Sequence, residues 1–330
     1  MSWTPTALAD VLQKTPISDY ISALLPNATA FANAGILDTQ FSPLLGSGGS
    51  TVEIRRFAVD ATASELDDGT ASEGNKLSSY KDIAVVTRRK RVRGIDVQTV
   101  AALGGDAVAT EIANESAYYW GSDIDTALSK VLTALFDASS GVIRTTHKSA
   151  KAAASGPIVT ANYPLLIDLA KLGGDKMNDF RNLVVHPNVW ADLVKDSAAK
   201  PLASPAIGGG ALIGAGSFAG WNVFISDRVP TTGSSTYKSY SSFLFKPGAL
   251  GLMWQMNVNT RTQYDAYKNT DIITQSVAYA PHAFGVKWSG TASSAAGPTD
   301  AELATATNWT KVATNDKEIG VLCLTTNASA

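Results

Sequence analysis

Three histidines, one cysteine and a run of carboxylates are the side chains of this sequence best suited to chemistry. His147, His186 and His282 are far apart, with no His-x-x-x-His pair and no glutamate-flanked pair. A zinc site would need all of them to converge over long range, so none is expected. His186 instead reads as a cap for a helix opening at Pro187. Cys323 is the only cysteine, which excludes an intramolecular disulfide framework and a multi-cysteine metal site. It reads as a small buried hydrophobe. There is no Gly-x-Ser-x-Gly elbow and no Gly-x-x-x-x-Gly-Lys-Ser/Thr phosphate loop. Gly214-Ala215-Gly216-Ser217-Phe218-Ala219-Gly220 resembles a dinucleotide fingerprint, but it has one residue too many and precedes a strand instead of following one. No catalytic residue, cofactor site or metal site is expected.

The carboxylates concentrate in residues 60–82. Asp60, Glu65, Asp67, Asp68, Glu73 and Asp82 face only Lys76 and Lys81 there. A solvated, glycine-containing loop does not desolvate carboxylates or separate their pKa values, so acid–base catalysis is not signalled. Immediately downstream, Arg88, Arg89, Lys90, Arg91 and Arg93 form a basic run. No aromatic residue interleaves with it, so base stacking is not signalled, and on a strand its charges alternate between two faces. Across the chain, Lys+Arg 27 against Asp+Glu 29 disfavours a dedicated nucleic-acid binder. Charged residues are only 17% of the chain, below the roughly 25% of ordinary soluble domains, as suits a subunit covered by neighbours.

The elements that would carry these side chains follow from periodicity. Residues 1–49 are cut by Pro5, Pro16, Pro26 and Pro43 into short helical pieces with too little apolar surface to fold alone. Two β-branched strands, 51–59 and 80–97, flank the acidic stretch, which is too long for a tight turn. Residues 106–138 read as one helix, with most of Val108, Ile112, Tyr119, Ile124, Leu128, Val131 and Leu135 on one face. At 1.5 Å per residue it spans about 50 Å and needs an extended surface to lie across. The middle of the chain is α/β: helix 164–172, strand 181–186, the Pro187 helix, and strands 221–227 and 242–245. Long strands between Leu250 and Trp288, joined near 264–270, come next. Residues 299–330 form a separate piece. No transmembrane span or secretory signal is expected, because no stretch approaches ~18 uninterrupted apolar residues and Asp10 and Lys14 interrupt the N-terminus.

In this order the parts resemble the major capsid proteins of tailed double-stranded DNA bacteriophages, with the Johnson (HK-ninety-seven-like) fold. The local matches are Leu183-Val184-Val185-His186-Pro187-Asn188-Val189-Trp190, then Trp221-Asn222-Val223-Phe224-Ile225-Ser226-Asp227-Arg228-Val229-Pro230, then Phe243-Leu244-Phe245-Lys246-Pro247-Gly248. The resemblance implies an α+β fold. Its parts would be an N-terminal arm (1–49), an extended β-hairpin loop (50–97), a spine helix with part of a peripheral β-sheet domain (98–160), an α/β axial domain (161–250), the long strands of the peripheral domain (251–298) and a C-terminal segment (299–330). It also implies a non-enzymatic structural protein that self-assembles into hexamers and pentamers of an icosahedral shell around double-stranded DNA. An encapsulin-type compartment shell is the alternative; a hydrolase or sugar-binding protein is a third, more distant reading. Partners would be other copies of the chain, with portal, scaffolding or decoration proteins and weakly held DNA, and no membrane. The location would be the virion capsid, after synthesis in the host cytoplasm. No position here matches the lysine–asparagine crosslink that some members form.

Charge then gives an intersubunit contact. Acidic Glu65, Asp67, Asp68 and Glu73 of one copy would meet basic Arg88, Arg89, Lys90, Arg91 and Arg93 of the next. A loop of ten residues per side could reach about 30 Å. A head-to-tail contact of that kind closes a ring.

Overall fold

The computed structural model describes residues 18–19, 21–25, 29–39, 49–58, 79–96, 105–199, 207–208, 216–218, 220–233 and 237–328. The expectations for residues 1–17, 40–48, 59–78 and 200–206 lie outside the described residues.

In chain order the elements are α1 (Ala30–Asn33), β1 (Leu37–Asp38), β2 (Thr51–Phe57), β3 (Ser79–Val85), β4 (Thr87–Asp96), α2 (Gly105–Leu135), α3 (Arg144–His147), β5 (Lys148–Ala150), α4 (Tyr163–Lys171), β6 (Asn182–Val185), α5 (Pro187–Ala199), β7 (Ile207–Gly208), β8 (Gly216–Phe218), β9 (Trp221–Ile225), β10 (Thr231–Thr232), β11 (Ser239–Phe245), β12 (Leu250–Asp265), β13 (Thr270–Ala283), β14 (Val286–Trp288), α6 (Asp300–Leu303), β15 (Trp309–Lys311) and β16 (Val321–Asn327).

The strands make three sheets. The long-strand sheet runs β1-β12-β13-β4, an eight-stranded sheet contains β5-β16-β11-β6-β9-β8-β7 with β10 on β11, and a small sheet runs β15-β14-β3-β2. The helix α2 lies across the long-strand sheet. Its inward residues Ala113, Ala117, Trp120, Ile124, Leu128, Val131 and Leu135 repeat at three and four and are buried, with Ile112 beside them, against Ile273, Val277 and Tyr279 of β13. Thirty-one residues make it about 46 Å long. Tyr119 does not join that stripe: it is exposed, and Arg91 lies over its ring at 3.7 Å. A second core holds α4, α5 and the eight-stranded sheet together through Leu166, Leu169, Leu183, Val189, Leu193, Leu244 and Leu322. The strand β6 is buried along its whole length, as expected of a strand covered on both faces.

The single strand expected over 80–97 is two strands that part at Val86. The first, β3, pairs antiparallel with β2, while β4 pairs antiparallel with β13. The corner is held from outside, where Arg88 N–H donates to the Ala296 carbonyl at 2.7 Å and the Thr87 hydroxyl to the Pro298 carbonyl at 3.3 Å. The boundary at 298/299 isolates no separate piece, because β15 pairs with β14 and β16 inserts between β5 and β11. An all-buried strand such as β16 cannot be satisfied alone, which is why the C-terminal residues enter a larger sheet.

Candidate intersubunit surface

The pleat sorts the basic strand β4. Burial alternates along it, with Arg89, Arg91 and Arg93 half-buried toward α2 and Arg88, Lys90 and Val92 exposed. The inward guanidinium groups find partners within the subunit. Arg89 Nη1 donates to Asp123 Oδ1 at 3.0 Å, and Nη2 bonds Asp300 at the start of α6. Tyr279 donates its hydroxyl to the other oxygen of Asp123 at 2.7 Å. Arg91 Nη1 lies 2.9 Å from Glu115 Oε1. Arg93 bonds Glu115 and donates to the Ser116 hydroxyl at 2.8 Å, which also accepts from Gln275. Burial works against the Arg89 charge, but Asp300, Tyr279 and Asp123 together outweigh it and hold the guanidinium well above its ordinary value. Burial lifts Asp123 above the usual carboxylate range although Arg89 draws it down.

On the other face, Arg88 donates from Nε and Nη2 to Gln255 Oε1, each at 3.3 Å. No carboxylate among the described residues pairs with Arg88 or Lys90. The register adds one cation that the sequence reading missed. Arg261 on β12 pairs with Thr274, and Thr274 with Val92, so Arg261 stands on the same outward face as Val92 and Lys90. Only the pairing of strands distant in sequence could have revealed it.

Glu65, Asp67, Asp68 and Glu73 lie outside the described residues. Asp82, grouped with them by sequence, is not a solvated charge. It points inward from β3, fully buried, and its Oδ2 accepts the Gly285 N–H at 3.0 Å. Lys81 turns to Glu53 at 2.8 Å. Residues 60–78 alone still carry five carboxylates against one lysine.

The histidines and the cysteine are dispersed. His186 accepts the Asn188 N–H at 3.1 Å and so caps α5. His147 is buried, bonding Thr146 and the Asp316 carbonyl, and burial lowers its pKa. Cys323 is fully buried, and burial pushes its thiol up to about 11. The fingerprint-like run 214–220 spans β8, which pairs antiparallel with β9, so no helix follows it to bind a phosphate. Among the described residues no group of three or more His, Cys, Asp or Glu side chains is placed to hold a metal.

Against known proteins, residues 61–322 match the family model Gp13-like, described as Major capsid protein 13-like. The chain is 24% identical over 314 residues to the "Major capsid protein" of Bacillus phage SPP1, covering 93% of this chain and 94% of that one. Among solved structures it is similar to the capsid of Ralstonia phage GP4, with a TM-score of 0.57 at 11% identity over 100% of this chain and 95% of that one. It is also similar to the Cyanophage Pam1 capsid asymmetric unit, with a TM-score of 0.51 at 14% identity, covering 100% and 96% of the two chains.

Proposed function

The chain belongs to the Gp13-like family of major capsid proteins, and from that premise we propose how its surfaces join copies into a shell. It is a structural subunit of a tailed-phage capsid, a component of the virion, and the family assignment leaves the encapsulin-type alternative without support. In the arrangement proposed, copies close head-to-tail into hexamers and pentamers of an icosahedral shell around double-stranded DNA. The acidic stretch holding Glu65, Asp67, Asp68 and Glu73 lies on the next copy's long-strand sheet.

The observation that carries this reading is the sorting of β4. Arg89, Arg91 and Arg93 are committed to carboxylates of their own subunit, whereas Arg88 and Lys90 face outward beside Arg261. The acceptor for a neighbour's carboxylates is therefore the outward set. Each exposed pair contributes only about 0–1 kcal/mol, so the charges set register while apolar burial supplies strength. The subunit has no catalytic centre, is made in the host cytoplasm, and touches packaged DNA weakly and without sequence preference. Portal, scaffolding or decoration proteins are its remaining partners.

The test is combined reversal, Asp67→Lys, Asp68→Lys and Glu73→Lys, read by electron microscopy of particles. Assembly should fail while the monomer stays folded, and adding Arg88→Glu with Lys90→Glu should restore particles. Normal shells from the triple variant would sink the proposed contact, and so would rescue by reversing the inward arginines only.

A further inference from the structure

At the root of the β2–β3 hairpin, two ionisable groups are sealed from solvent, and no surface role uses them. Asp82 on β3 and His282 on β13 are both fully buried. His282 Nε2 stands 3.9 Å from Asp82 Oδ2, beyond hydrogen-bond reach. Among the described residues, neither ring nitrogen of His282 has a hydrogen-bond partner, and neither does Asp82 Oδ1. Native interiors seldom leave such atoms without one, so a buried histidine with both nitrogens orphaned points to a second arrangement of the site.

The surroundings define what that arrangement is. Phe284 and Trp309 wall the imidazole, with centroids 5.9 and 6.2 Å from it. Arg56 on β2 has its Nε 3.7 Å from Asp82 Oδ2 and its guanidinium over the Phe284 ring at 4.0 Å. Tyr80 on β3 is held protonated by burial and by its hydrogen bond with Glu318. Lys311 on β15 is engaged by Asp316. Asp82 already joins the hairpin to the body by accepting the Gly285 N–H in the β13–β14 turn.

We propose that Asp82 and His282 form a proton-operated lock. A proton taken up by His282 converts their contact into a charge-assisted hydrogen bond that fastens the β2–β3 hairpin to the β13–β14 turn. The proton comes from solvent during local opening of the hairpin, and no covalent bond changes. A charge-assisted bond is shorter and stronger than a neutral one, so the imidazolium has more to gain from Asp82 than the neutral ring has. Arg56 opposes it, by competing for the same carboxylate and by repelling the imidazolium. The lock acts on β2 and β3, the two strands that flank residues 59–78 in sequence.

The test uses the whole chain with ¹³C-labelled histidine. There are three histidines, so His147→Gln and His186→Gln assign the His282 signal by elimination. The His282 ring shifts are followed from pH 8 to 5, and the lock requires a single transition of the ring in this range. Amide exchange of residues 51–57 and 79–85, corrected for the intrinsic effect of pH, should slow by about threefold or more over the same midpoint. In His282→Gln that slowing should vanish, and in Asp82→Asn, which removes the carboxylate the lock closes on, it should vanish too. A ring that does not titrate in this range overturns the proposal, as does equal slowing in His282→Gln. If the variants do not fold, the wild type alone decides: separate midpoints for ring and hairpin refute the lock.

Discussion

Asp125 sits fully buried on α2, and its oxygens accept the Ala30 and Phe31 N–H groups at 2.9 and 3.4 Å. It ties the chain ahead of β1 to the long helix. Burial lifts its pKa from 3.8 to about 6, and the two backbone bonds offset this only in part. A raised carboxylate favours folding in its protonated form. Its contribution is whole below about pH 4 and is lost as pH rises through 6. Denaturant unfolding of wild type and Asp125→Asn at several pH values should therefore diverge across that window by on the order of 2–3 kcal/mol, with the wild type losing ground as pH rises. A difference that does not vary with pH would show that burial does not govern this group. The basic strand allows a sharper contrast. Arg89→Met strands Asp123 without its charge partner and should cost about 2–4 kcal/mol in urea unfolding. Lys90→Met, one residue along, should cost under about 0.5 kcal/mol. Equal costs would mean that the inward and outward faces have been misassigned.

The corner between β3 and β4 depends on a glycine far away in sequence. Gly297 has φ +106, and a Cβ there would stand 2.1 Å from the Val86 carbonyl oxygen. Gly297→Ala must therefore push the 296–298 segment off the corner and break the bonds to Thr87 and Arg88. It should cost well over ~1 kcal/mol, seen as a lowered melting temperature. Retained stability would mean that the corner is held by β3 and β4 themselves. Sequence periodicity found most of the regular elements. The residues 106–138 expected to be helical match α2 to within one residue at its start and three at its end, and the turn at 264–270 falls between β12 and β13. Local pattern was sufficient there because each element buries one continuous stripe. It was insufficient at Val86, where β-branched residues run on through a change of sheet imposed by residues 296–298. It also placed Asp82 with the solvated loop, since one buried carboxylate in an acidic stretch has no local signature. The basic strand was legible as a strand with two faces, but which face is neutralised depends on Glu115, Asp123 and Asp300, brought in by tertiary folding.

For the whole molecule, the balance of charge and apolar burial has a consequence in salt. The outward cations of β4 are exposed, and at 1 M salt the screening length falls to about 3 Å. Contacts of that kind steer encounter more than they hold. Subunit assembly followed by light scattering should therefore slow with added salt, while shells already formed should stay intact. Rapid dissolution of finished shells in high salt would mean that ion pairs, not apolar surfaces, supply the cohesion.

The position of β16 adds a constraint in time. This strand, residues 321–327, lies inside the eight-stranded sheet, parallel to β5 on one side and antiparallel to β11 on the other. A ribosome emits the chain from the N-terminus at about 5–20 residues per second. For as long as Asn327 is unmade, β11 and β5 lack the neighbour that bridges them, and Leu322 and Leu324 are missing from the core beneath α4. Ribosome-arrested chains ending before 321 should be cut readily by protease within 148–245, and chains extending past 328 should resist; equal resistance would show that the sheet closes without β16. A body able to join others is thus incomplete until residue 327 has been made. A polysome crowded with identical nascent chains is protected from joining them prematurely, because none of them yet has a finished body to join.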